Sequence, residues 1–127
     1  MIFDTDILIW YMKGNELAQT KVEECAPFSI SVVTYMELVQ GMRNKAELKT
    51  FLKFLKKRSV SILHIDQDIS ARAMFFVEDY FLSNSLQLAD ALIAATSIQT
   101  KELLVTANDK HYKYIPNIQI EIFRPEG

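Results

Sequence analysis

Met1-Ile2-Phe3-Asp4-Thr5-Asp6 sets a short apolar run directly against two carboxylates. A run this brief and this apolar reads as a buried strand, and acids abutting it belong where the strand emerges from the sheet. In open α/β sheets that emergence point, the carboxyl edge, is where ligands bind. The opening therefore proposes both a fold class and the location of a site. The test is whether other strands deliver acids to the same edge.

Working outward, Ile2–Asp4 predicts a first strand, followed by helices at Ile7–Met12 and Glu16–Glu24. Phe28–Val32 alternates as a strand, and Thr34 opens a helix reaching Gly41 or Met42. A Lys-faced helix ends near Arg58, and Val60–Ile65 is a β-branched, apolar strand. Asp66 or Asp68 can cap the next helix, Ile69 to Leu82. Leu88–Gln99 is apolar on most sides and predicts a central buried helix. Leu103–Thr106 and Ile118–Phe123 complete the strands. Strands separated by helices imply an α/β fold with a mostly parallel sheet of about five strands, covered by helices on both faces.

A chain of 127 residues fits one domain, here residues 1–127. The two early acids and the lack of a basic leader argue against a secretory signal. No apolar run approaches the roughly 18 residues of a membrane span. Cys25 is the only cysteine, which excludes an internal disulfide and points to a reducing, cytoplasmic setting. Beside Glu23 and Glu24 its thiolate is disfavoured, so a nucleophilic role is not expected.

Acids recur at equivalent positions. Asp4 follows the first strand. Glu37 falls in the first turn of the helix after the second. Asp90 sits near the start of the apolar helix Leu88–Gln99, and Asn108 and Asp109 follow the strand ending at Thr106. In a parallel sheet these places share one edge. Each also has an ordinary explanation. Thr34-Tyr35-Met36-Glu37 fits a capping box, and Asn108 or Asp109 can cap a short turn. Asp90, flanked by Leu88, Ala89, Ala91 and Leu92, must pair, coordinate or stay at a rim. Clustered carboxylates need a cation to stay ionised together. An all-oxygen donor set selects Mg2+ or Mn2+. With only His64 and His111 in the chain, and His64 read as an interior strand residue, a zinc site is not expected. A hard cation on carboxylates suits phosphate chemistry.

Net charge is −2, yet Arg43–Arg58 holds seven of the fourteen basic residues against one acid, Glu47. Helical spacing puts Lys45, Lys49, Lys53 and Lys56 on one side, with Leu48, Phe51, Leu52 and Leu55 opposite. The stripe is either a solvated face or a surface for a polyanion such as RNA.

Four segments carry a resemblance: Asp4-Thr5-Asp6-Ile7-Leu8, Ser31–Gly41 around Glu37, Leu88–Ala95 around Asp90, and Leu104–Tyr112. In this order they resemble the PIN-domain ribonucleases, and among them the VapC-type toxins of prokaryotic toxin–antitoxin pairs. The resemblance spans essentially the whole chain. It implies a PIN-like three-layer α/β/α fold and a Mg2+- or Mn2+-dependent endoribonuclease, with Asp4, Glu37 and Asp90 as metal-binding acids. It also implies a homodimer inhibited by a small cognate antitoxin. The fourth acidic position of the family falls on Asn108, with Asp109 adjacent, so a charge is missing there. Thr5, Asp6 and Thr106 resemble residues that orient the primary acids. Arg43, Lys45, Lys49 and Lys53 are the expected RNA contacts.

Two other classes, a signalling domain and a phosphatase, share part of the pattern. A receiver-like phosphoacceptor domain could use Asp66, but it wants a lysine closing a strand and leaves Glu37 and Asp90 unexplained. A haloacid-dehalogenase-like phosphatase could use Asp4-Thr5-Asp6, but Leu8 departs from its motif. A catalytically silent module of the same fold is the third reading.

Overall fold

Alternation across the pleat determines how this sheet is buried. A computed structural model describes residues 1–127. Strand β1 (Ile2–Phe3) points Ile2 into one apolar layer and Phe3 into the other. Leu104 and Val105 of β4 (Leu104–Thr106) divide in the same way. Both faces are therefore covered, as all-parallel sheets require. The other strands are β2 (Ser29–Ser31), β3 (Ser61–Leu63) and β5 (Ile120–Ile122). They lie in the order β3-β2-β1-β4-β5, and every pair is parallel.

Helices α1 (Thr5–Met12), α2 (Glu16–Cys25) and α4 (Lys45–Lys57) close one face over Phe3, Ile30 and Val105. Helices α5 (Gln67–Asn84) and α6 (Leu88–Thr100) close the other over Ile2 and Leu104. Helix α3 (Val32–Gln40) contributes Leu38 to the first layer and Val33 to the second. Asn15, Asn44 and Asp66 cap α2, α4 and α5 by accepting from Ala18, Glu47 and Ile69 N–H groups.

Several boundaries differ from expectation. Helix α1 begins at Thr5 rather than Ile7, because the Asp4 carboxylate accepts the Thr5 N–H and serves as the cap. Thr34 does not open α3. Ser31 accepts the Val33 N–H at 3.1 Å and starts the helix at Val32. The capping-box explanation of Glu37 therefore falls, and Glu37 lies in the second turn rather than the first. Leu88 is 70% exposed although it sits in the apolar helix, since α6 buries its other face. Leu52 is also largely exposed, while Phe51 and Leu55 carry the α4 contact. His64 lies just past β3 and is exposed, not an interior strand residue. No helix is long and apolar enough to cross a membrane.

Candidate active site

Chain direction reverses across the sheet at one place. From β1 the chain moves outward through β2 to β3, then returns past β1 to β4 and β5. The gap between the carboxyl ends of β1 and β4 is thus a topological switch point, where such sheets bind ligands. Asp4 leaves β1 there, and Thr106 ends β4 beside it.

The two meet directly. Thr106 Oγ1 donates to Asp4 Oδ2 at 2.8 Å and also faces Asp6 Oδ2 at 3.5 Å. Asp4 Oδ1 accepts the Thr5 N–H at 2.8 Å. Asp6 Oδ2 further accepts the Ala107 N–H at 3.0 Å and Asn108 Nδ2 at 2.7 Å. Thr5 Oγ1 reaches the other way, to Glu37 Oε1 at 2.7 Å and Thr34 Oγ1 at 2.9 Å. Asp90, in the first turn of α6, accepts the Tyr112 hydroxyl on Oδ1 at 3.2 Å. His111 Nδ1 lies 3.3 Å from its Oδ2. Asp4, Thr5, Asp6, Glu37, Thr106 and Asn108 therefore form one hydrogen-bonded chain, with Asp90 joined from the Tyr112 side.

Asp109 stands apart. Its Oδ1 accepts from Arg124 at 2.9 Å, which lowers its pKa. Arg124 also donates to the Ala107 carbonyl at 3.0 Å, so the pair braces the loop that carries Asn108. Lys45, Lys49 and Lys53 are solvent-exposed and in no salt bridge, whereas Arg43 is engaged with Glu47 at 2.8 Å.

Electrostatics at the edge are unfavourable without a counter-charge. Burial pushes the Asp4 carboxyl up to about 7; the Asp6 charge adds to this, and bonds from Thr106 and Thr5 oppose it. Burial raises Asp6 as well. Asp6 Oδ1 is buried without any hydrogen-bond partner. Burial, and then the charges of Asp4 and Asp90, hold the Tyr112 phenol well above its ordinary range, so it stays a neutral donor. Oxygen-only donors, an unpartnered carboxylate oxygen and adjacent like charges fit a hard divalent cation. As the side chains stand, no three His, Cys, Asp or Glu groups enclose a point by themselves. That is compatible with Mg2+, which takes one or two carboxylates and keeps several waters.

The sequence profile of the PIN domain matches residues 1–117. The chain belongs to the PIN-domain family. Ribonuclease VapC10 of Mycobacterium tuberculosis is 32% identical over 116 residues, spanning 88% of this chain and 85% of the relative. A toxin-antitoxin complex from Klebsiella pneumoniae contains a chain of 29% identity, with a TM-score of 0.74 over 98% of this PIN domain and 96% of that chain. VapBC2 from Rickettsia felis, bound to a DNA fragment from its promoter, superposes at a TM-score of 0.78 over 98% and 100% of the two chains. At 22% identity the latter likeness speaks to fold.

Within this PIN domain, sequence reasoning passed over His111 and Tyr112. The available signal was the adjacent pair His111-Tyr112, two polar-tipped aromatics within four residues of Asn108, in and just after the short turn Asp109–His111.

Proposed function

We propose that this PIN domain is a Mg2+- or Mn2+-dependent endoribonuclease and the toxin of a type II toxin–antitoxin pair. The observation that carries the reading is the continuous bonding of Asp4 to Glu37, Asp6 and Asn108 at the switch point, with Asp90 across Tyr112. The named ribonuclease relative and the neighbouring toxin-antitoxin complex supply the substrate class and the partner class.

In this reading Asp4, Glu37 and Asp90 hold the cation, one or two of them directly and the rest through its waters, and Asn108 offers its carbonyl oxygen beside them. Thr5 and Thr106 fix the rotamers of Glu37 and Asp4, Asp6 stands behind Asp4, and Asp109 steadies the Asn108 loop through Arg124. When bound, Mg2+ or Mn2+ supplies positive charge at the scissile phosphate and makes an attacking water more acidic. Protein stripped with EDTA should leave single-stranded or looped RNA intact and regain cleavage when Mg2+ or Mn2+ is restored. Equal cleavage in EDTA would refute the reading.

The exposed Lys45, Lys49 and Lys53 are assigned to the RNA backbone, with Arg43 at the head of the stripe. Lys49→Glu with Lys53→Glu should weaken RNA binding about tenfold at low salt and flatten the dependence of affinity on salt. Unchanged binding would make the stripe a solvated face.

Apolar surface suits protein partners. An open groove of about 640 Å3 between α1, α2 and α4 is lined by Tyr11, Met12, Met42, Phe51 and Phe54, a surface for the antitoxin. Helix α5 exposes Met74, Phe75, Phe81 and Leu82, the last at 93%, which supports a homodimer. A cytoplasmic setting accords with the single free Cys25.

A further inference from the structure

We infer that Tyr112 is a positioning residue for the cation, holding Asp90 in the orientation that lets it act together with Asp4. The inference rests on the metal-dependent reading above and extends it to a residue outside the acidic set.

A buried tyrosine ordinarily finds a partner for its hydroxyl, and a backbone carbonyl would serve. Tyr112 instead reaches the acidic edge from below. Its ring is fully buried in the layer formed with α5 and α6, packed with Leu104 and Ile115. Its main chain is fixed at both groups. The Tyr112 N–H donates to the Asp109 carbonyl at 2.9 Å, and its carbonyl accepts from the Ile115 N–H at 2.9 Å. From this immobile base the hydroxyl donates to Asp90 Oδ1 at 3.2 Å, and Asp4 faces the same phenol. A phenol donates one hydrogen bond. It can therefore fix one carboxylate oxygen while leaving the remaining lone pairs of Asp90 and Asp4 for an ion.

The neighbouring residues make the arrangement selective. Both oxygens of Asp4 are held by Thr5 and Thr106, from α1 and the end of β4. Asp90 has no equivalent tether on its own helix: its contacts are Tyr112 and the half-exposed His111, both supplied by the segment after Asn108. Without the phenol, Asp90 would keep only a 3.3 Å contact to a half-exposed imidazole. Residues that orient a metal-binding carboxylate in this way typically change affinity by 10–100-fold when removed.

The test is direct Mn2+ binding, read from loss of the free-ion electron paramagnetic resonance signal, in the full chain without RNA. Tyr112→Phe keeps the ring and removes the donor. It should weaken Mn2+ binding about tenfold while the melting temperature in EDTA changes by only a few degrees. In the Asp90→Asn background the same change should have little further effect, because the charge it positions is gone. Wild-type affinity in Tyr112→Phe would overturn the inference and leave the metal reading intact. Failure of the wild-type protein to bind Mn2+ would overturn both. Tyr112→Leu is measured alongside, and loss of the fold in both variants would assign Tyr112 to core packing alone.

Discussion

Asp90→Asn is expected to lower Mn2+-dependent RNA cleavage by about 10³-fold, roughly 4 kcal/mol of transition-state stabilisation, while the fold is retained. The amide keeps an oxygen that can accept from Tyr112, so the structural contact at 3.2 Å survives and only the charge is lost. Asp4→Asn should match it, and the double variant should fall little further, because groups acting on one ion are not additive. Asn108→Ala provides the contrast. Its Nδ2 is bound to Asp6 and it brings no charge, so a loss nearer tenfold is expected. Initial rates of a fluorogenic RNA at saturating Mn2+ make the comparison. Wild-type activity in Asp90→Asn would remove that acid from the mechanism, and equal losses would move Asn108 among the primary ligands.

A second large effect concerns stability rather than rate. In EDTA the folded protein should become less stable as pH rises from about 4 to about 8. The folded Asp4 carboxyl, raised to about 7, keeps its proton across a window in which the unfolded chain, near 3.8, has released it. The folded state then binds more protons than the unfolded state, so stability falls with increasing pH. The raised Asp6 works in the same direction. At about 1.4 kcal/mol for each pKa unit, the loss is on the order of 2–4 kcal/mol. That corresponds to a drop of roughly 10 °C in melting temperature. Asp4→Asn should flatten the profile and melt above the wild type at pH 8 in EDTA. Adding Mn2+ should stabilise the wild type most at that pH, where the carboxylate is ionised. A flat or rising wild-type profile in EDTA would show that Asp4 ionises without penalty, contrary to its burial.

Much of the fold is written in local pattern, because a two-sided parallel sheet needs short runs such as Ile2-Phe3 and Leu104-Val105 to be apolar at every position. The same pattern is silent on strand order. Nothing in Leu104–Thr106 alone says that it pairs with β1 rather than β3, since pairing is decided by packing across the sheet. The start of α3 was obscured because Val32 and Val33 favour strands, and one hydroxyl, that of Ser31, turns the chain into a helix ahead of them. The acids at 4, 37 and 90 were legible because charge beside apolar residues is conspicuous. Asp6 was harder to place. Only the folded chain reveals that it shares Thr106 with Asp4, and that its other oxygen is left without a partner. Tyr112 was hidden for a different reason: it lies in the polar run Asn108–Lys113, and only the folded chain shows its ring in the core and its hydroxyl on Asp90.

The bond between Asp4 and Thr106 spans 102 positions of sequence. During translation the first of these residues leaves the ribosome long before the second, and Asp4 lacks the partner that orients it throughout that interval. A candidate site divided in this way cannot close until nearly the whole chain has been made.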